Sequence, residues 1–417
     1  MQLALRSRIE AARGEEGRAR GLALDPWLRV AILALLVAAA AFVVAAPGLE
    51  LRTNRYLPFY GLQAQSFLEG RADLPALPPD WVHDVIRLPD GRAYFALPPL
   101  NAFLLVPFVA LLGPDLPERA FTLVAYAAYL GLLAVFLTRY VKTSLSAYAA
   151  WMAFFAFGTN LITCAAAGTS WFSACLVSSL LLSLGALVVW RARTLGGATL
   201  GVALACLAAL GRFHLVLPAA ALAAGVWHAR FRPGWRRLFV LALPLAGFAA
   251  FVAWWNWARF GTPLDLHYRE HGYAAAFQGT VERYGFTSWR YVLPHLYHGL
   301  VGAPRFVPSF PFLELDLDGN GLLAMSPVFL YTVFRAHAYS RSDWFALGCI
   351  VLTAFPIATH FSTGWSQAGY RYALDVFPFL CFLLFRARFD IRSPLSLALV
   401  AASVWMNTAG TLLWLGR

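Results

Sequence analysis

Eleven apolar stretches decide what this sequence can fold into: 27–46, 120–138, 145–166, 170–190, 197–211, 213–229, 238–258, 321–334, 344–359, 372–385 and 394–415. A hydrocarbon core about 30 Å thick is crossed by roughly 20 apolar residues in a helix, and helices satisfy their own backbone there. Composition agrees. With 60% hydrophobic and only 13% charged residues and a mean hydropathy of +0.62, the chain lies far from soluble domains, in which about a quarter of residues are charged. The expected fold is all-α: one polytopic membrane domain over 1–417, with about 11 transmembrane helices, a re-entrant or interfacial helix and two extracytoplasmic loops.

The chain carries 33 basic and 21 acidic residues, net +12. In a soluble protein such an excess points to nucleic acid, but in a membrane protein it first reports orientation. Placing the N-terminus, the cluster Arg230, Arg232, Arg236, Arg237 and the cluster Arg386, Arg388, Arg392 in the cytoplasm leaves 19 basic and 6 acidic residues inside, with 14 basic and 15 acidic outside. The inside is then +13 and the outside −1, which together make the +12, so no basic surface is left over for nucleic acid. Residues 1–26 read as an Arg-rich cytoplasmic tail, broken by Glu10, Glu15 and Glu16 in a way that a cleaved signal peptide is not. The expected location is the inner or plasma membrane, multi-pass, with the active face extracytoplasmic. All five cysteines fall in apolar runs, which suggests neither a disulfide framework nor a thiolate metal cluster.

Two segments, 47–97 and 259–320, remain outside the membrane on the outer side. Within the first, 56–70 reads as an amphipathic helix closed by Gly70, with Tyr56, Phe59, Tyr60, Gln63 and Phe67 on one face, suited to lying along the membrane surface. The apolar stretch 98–113 is interrupted by Pro107; as a helix, 100–112 reaches about 20 Å, so it is read as re-entrant or interfacial. Residues 197–229 are too long for one helix, and Gly211-Arg212-Phe213-His214 is read as a tight outer hairpin. A lipid-facing arginine at mid-bilayer costs at least about 3 kcal/mol. The aromatic-rich second loop is expected to cap a cavity with the first.

The ionisable residues of this outer face are the candidates for chemistry. Asp84, following His83, stands where a lipid-borne substrate meets water and is a candidate general base for an acceptor hydroxyl; its plainer reading is a solvated loop acid or helix cap. Arg371 and Asp375, four apart beside Tyr370 and Tyr372, share a face if helical. They form either a neutralising packing pair or an arginine oriented to bind a phosphate; Arg212 and His214 allow the same two readings. His267 with His271, and His295 with His298, have spacings that admit a metal if helical, but loop histidines bonded to a ligand or to backbone are the plainer reading. No cofactor is expected, a divalent metal being the one the spacing admits. Glu314, Asp316, Asp318 and Asn320 resemble the opening of a calcium loop without its distal Glu and read as a turn and helix cap. There is no Gly-x-Ser-x-Gly elbow and no phosphate-binding Gly-rich loop with Lys, which leaves serine hydrolysis and ATP-driven transport unsupported, and no half-to-half repeat, which weakens a secondary-transporter reading.

Three groups of residues carry a resemblance. They are Phe67-Leu68-Glu69-Gly70-Arg71 with His83-Asp84, Gly91-Arg92-Ala93-Tyr94 and Leu97-Pro98-Pro99-Leu100; Trp255-Asn256-Trp257-Ala258-Arg259-Phe260-Gly261-Thr262-Pro263; and Gly364-Trp365-Ser366-Gln367-Ala368-Gly369-Tyr370-Arg371-Tyr372-Ala373-Leu374-Asp375. In layout and in these motifs the chain resembles the GT-C superfamily of polytopic glycosyltransferases, which includes protein O-mannosyltransferases and aminoarabinose transferases. The resemblance implies transfer of a sugar from a polyprenyl-phosphate donor, on the outer side of the membrane, to a glycan, lipid or protein acceptor. It implies Asp84 as base and Arg371 and Arg212 as phosphate contacts; His214, Asp375, Tyr370, His83 and Arg259 are further substrate-binding candidates on the same outer face. Family members commonly carry an acidic residue just after the first span. This chain has Thr53-Asn54-Arg55 there, with Glu50 the nearest carboxylate and so a second catalytic candidate. The alternatives are a lipid or polysaccharide transporter, or an inactive assembly subunit of the same architecture.

Overall fold

The structure is a computed structural model describing residues 26–45, 57–75, 77, 83–232, 234–267 and 270–416. Glu50, the Thr53-Asn54-Arg55 segment and Tyr56 lie outside the described residues, as does the N-terminal tail. Nearly all regular structure is helical: α1 (Pro26–Ala45), α2 (Phe59–Leu68), α3 (Leu100–Leu112), α4 (Glu118–Phe136), α5 (Leu145–Phe157), α6 (Asn160–Ala167), α7 (Ser170–Arg191), α8 (Leu195–Ala209), α9 (Val216–Val226), α10 (Trp235–Phe260), α11 (Arg341–Ala358), α12 (Ala373–Arg386) and α13 (Pro394–Leu415). Two small antiparallel hairpins stand between them, β1–β2 (Val85–Arg87, Ala93–Phe95) and β3–β4 (Arg305–Phe306, Leu313–Glu314).

Among the described residues six helices are long and apolar enough to cross a membrane: α1, α4 with its extension to Val141, α7, α10, α11 and α13. A seventh arises if the bent pair α5–α6 is one span. The count is therefore six or seven rather than the eleven expected. Hydropathy marks apolar stretches but not whether the helix formed from them is continuous. Leu195–Ala209 and Ala373–Arg386 stop at 15 and 14 residues, about 22 Å. The stretch from 321 to 334 breaks at Ser326–Pro327 into Leu322–Met325, a tight turn and Leu330–Phe334, since proline has no N–H to continue the ladder.

Small residues and buried polar side chains join the helices, as expected where lipid offers no hydrophobic drive for association. A Cβ on Gly185 of α7 would sit 2.7 Å from Gly201 O of α8, and one on Gly201 would sit 2.7 Å from Val189 N. The two backbones approach as closely as glycine permits. Thr163 and Thr411 share a 2.8 Å hydrogen bond between α6 and α13, and Asn407 Nδ2 donates to Met325 O at 2.6 Å.

The two ends of the bundle differ in chemistry. At one end the arginines serve helix termini: Arg29 donates to Thr143 O, Arg230 to Trp190 O, and Arg386 pairs with Asp343, while Arg191 lies over the Tyr140 ring. The opposite end gathers the starts of α4, α7 and α12, the α8–α9 turn and the hairpin β1–β2. Helix α3 begins and finishes there, with Leu100 N donating to Leu210 O and Pro114, just past its C-terminus, lying against Gly61. The amphipathic helix expected over 56–70 is α2, and it is mostly buried, packed on α3 through Phe67 and Phe103 (ring centroids 4.7 Å apart).

Candidate active site

Asp84 sits at the entry to β1 with φ 56°, a left-handed conformation in which aspartate is tolerated more readily than most residues. Backbone bonds hold it there: Asp84 N donates to Gly272 O at 2.8 Å, and Ala96 N donates to Asp84 O at 3.0 Å. Ile86 and His271 form an isolated antiparallel bridge, so the two long loops are stitched together at this point. The carboxylate receives the Trp171 indole N–H at Oδ2 (2.7 Å) and faces His271 Nε2 from Oδ1 (3.0 Å). Its side chain remains 34% exposed. Burial opposes its ionisation, but the hydrogen bond and charge of His271, the Trp171 indole and the positive charge of Arg371 together hold the carboxyl below its ordinary range.

Trp171 belongs to the first turn of α7, and the next residue, Phe172, leads to the second group. The Arg371 guanidinium lies 4.9 Å from the Phe172 ring centroid and 5.0 Å from that of Tyr372, arrangements that stabilise a cation. Arg371 also donates to Gly364 O, while its backbone N donates to Gln367 Oε1 at 3.0 Å. Gly364, Trp365 and Ser366 are consecutive residues with positive φ (114°, 30° and 54°). A Cβ at Gly364 would lie 3.2 Å from the Arg371 Cζ. Strain of this kind in non-glycine residues collects at sites where the surroundings over-determine the backbone.

Arg212 lies 4.7 Å from the same Tyr372 ring centroid, so a single phenol contacts two guanidiniums. Arg212 Nε is 2.9 Å from Asp375 Oδ2, and His214 Nε2 is 3.1 Å from the same oxygen. The expected pairing of Arg371 with Asp375 is thus replaced by an Arg212–Asp375–His214 cluster. The i, i+4 argument requires helix at both positions, and α12 begins only at Ala373, leaving Arg371 in the preceding turn.

The remaining candidates take supporting places. Tyr370 OH lies 2.6 Å from His295 Nδ1, and its carbonyl accepts from Asn160 Nδ2 at 2.6 Å. Arg259 is buried, donates to Asn256 Oδ1 (3.1 Å) and lies over the Trp255 and Phe260 rings. His83 stands half-buried in the turn before Asp84. The histidine pairs diverge: His271 turns to Asp84 while His267 faces Glu270, and His295 bonds Tyr370 while His298 faces Asp316 and Gly319 O. Among the described residues no three His, Cys, Asp or Glu side chains group to hold a metal ion. Asp316 to Asn320 forms a turn, with Asn320 Nδ2 donating to Asp316 O and Ala368 O. Burial pushes His360 down to about 4, and its Nδ1 accepts from Ser362 N at 3.2 Å.

Four site residues lie outside the sequence-based candidates: Trp171, Phe172, Tyr372 in its ring role, and Glu118. Glu118 is buried and accepts from Tyr60 N (2.8 Å) and Ser170 Oγ (2.6 Å), tying the start of α2 to the start of α7. An acid in the first turn of a mostly apolar helix was its available signal; nothing local marks Trp171.

Fold and composition define an all-helical membrane protein with a polar site at one end of its bundle. No family model, curated protein or solved structure matches the chain.

Proposed function

We propose that this protein is a membrane glycosyltransferase that moves a sugar from a polyprenyl-phosphate donor to an acceptor hydroxyl or amine. The observation that carries the reading is the placement of Asp84, a partly exposed carboxylate kept ionised by two hydrogen bonds, within electrostatic reach of Arg371. Asp84 takes the proton of the acceptor as its oxygen or nitrogen bonds to the anomeric carbon. The bond from that carbon to the phosphate oxygen breaks, and the electron pair leaves with the lipid phosphate. Arg371, with no carboxylate bonded to its guanidinium among the described residues, meets the charge that develops there. Arg212, already paired with Asp375, contributes orientation more than net charge.

In this reading the arginine-lined end of the bundle is cytoplasmic, the site faces outward, and the protein lies in the inner or plasma membrane. The test is lipid analysis of a deletion strain. A glycosyltransferase predicts accumulation of an unconsumed polyprenyl-phosphate sugar together with an underglycosylated envelope component. Unchanged lipid-linked sugars would count against the reading, and a glycolipid stranded on one leaflet would favour a transporter.

A further inference from the structure

We infer that the segment Trp289–Val301, in the middle of the second long loop, is embedded in the membrane interface on the side of the candidate site. It is one continuous helical stretch, opening as a 3-10 turn (Trp289–Tyr291), α over Val292–Leu296 and π over Tyr297–Val301. Its large side chains divide sharply. Trp289, Leu293, Leu296, Tyr297, Leu300 and Val301 are exposed, at 73%, 75%, 45%, 53%, 43% and 60%. At 100° per residue these six fall within roughly 140° of arc. The opposite face is buried: Tyr291, His295 and Gly299 pack inward, with His295 bonded to Tyr370 OH and Gly299 against the Tyr370 ring.

Such an apolar face in water would be a large unshielded patch. Its neighbours identify what covers it. Trp289 packs at 5.4 Å on Phe355, which is itself 48% exposed near the end of the membrane-crossing helix α11 together with Val351 and Leu352. The apolar face therefore continues the lipid-facing surface of a span. Trp289 at its start and Tyr297 within it are of the kind favoured at headgroup depth, and Arg290 beside Trp289 lies over the Tyr284 ring. The β3–β4 hairpin repeats the arrangement at another span, with Phe306 stacked on Trp405 of α13 and Phe310 85% exposed. The bilayer is the occupant that fits both. A consequence is that the inner face of a lipid-contacting helix holds Tyr370, the residue next to Arg371.

The test uses the full chain in lipid nanodiscs with a nitroxide at Leu293→Cys or Leu300→Cys. The five native cysteines are buried, and the unsubstituted chain serves as the labelling control. Collision with dissolved oxygen is compared with collision with a water-soluble nickel chelate, using Phe355→Cys as the lipid reference and Glu282→Cys as the aqueous one. The expected oxygen-to-nickel ratio at 293 and 300 matches that at 355 and exceeds that at 282 several-fold. Ratios equal to that at 282 overturn the inference, and so does exclusion of both reagents, which means that protein, such as a second copy, covers the face. Because these positions are on the surface, either substitution alone suffices.

Discussion

His271 Nε2 lies 3.0 Å from Asp84 Oδ1, across 187 residues of chain, and the two loops they belong to are joined by backbone bonds on either side. The histidine therefore acts on the protonation of Asp84 as well as on its position. With its carboxyl held below the ordinary range by His271, Trp171 and Arg371, Asp84 loses its base form only at a pH lower than a free carboxyl does. The acidic limb of a kcat/KM profile is expected there. In His271→Gln the limb moves up in pH, because a contribution favouring the charged form has gone. A limb near pH 6.5 in the parent protein would assign the base to a histidine instead.

Arg371→Lys keeps the charge but loses the planar group that lies near the Phe172 and Tyr372 rings and is bonded to Gly364 O. Hydrogen bonds to charged groups contribute about 1.5–3 kcal/mol, so kcat/KM for the lipid-linked donor is expected to fall by roughly 10- to 100-fold. Steady-state kinetics with donor varied and acceptor saturating reads this directly. An unchanged value would remove Arg371 from the site.

Asp375→Asn separates folding from chemistry. Asp375 is fully buried between Arg212 and His214, and removing one partner of a buried ion pair costs about 3–5 kcal/mol. A large drop in the thermal midpoint in detergent is expected, well beyond that of Arg371→Lys. The double variant Arg212→Met with Asp375→Leu should recover much of the loss. Equal midpoints for Asp375→Asn and the parent would contradict the pairing.

Gly201→Leu tests the helix contact beneath the site. Its side chain would enter a space already filled by Val189 and Gly185 O, and overpacking typically costs about 1–3 kcal/mol. The expected result is lower thermal stability with the donor KM of the surviving protein unchanged. A stable variant would show that α7 and α8 can part at no cost.

The all-helical membrane class was legible because hydrophobicity is a bulk property of the sequence. The number of full-length spans was less so: hydropathy sees the stretch 321–334 but not the break that Pro327 imposes, where Ser326 Oγ donates to Gly158 O and Asn407 Nδ2 donates to Ser326 Oγ. Asp84 could be singled out from its place between two membrane segments, and Arg371 from an arginine near an apolar run. Their partners could not. Trp171 and His271 reach Asp84 over separations of 87 and 187 residues, and Asp375 pairs with Arg212 because α12 starts two residues after Arg371. Contacts of this kind are products of tertiary packing and leave no periodicity to read.

The most direct measurement is sugar transfer by the purified protein in proteoliposomes with a polyprenyl-phosphate sugar, comparing the parent with Asp84→Asn. Asparagine preserves shape and can still accept the Trp171 N–H, so folding should be retained, as the thermal midpoint will show. The account predicts turnover by the parent and a loss of about 10²- to 10⁴-fold in kcat, the usual contribution of a general base, with donor binding intact. Transfer by folded Asp84→Asn at the parental rate would contradict it.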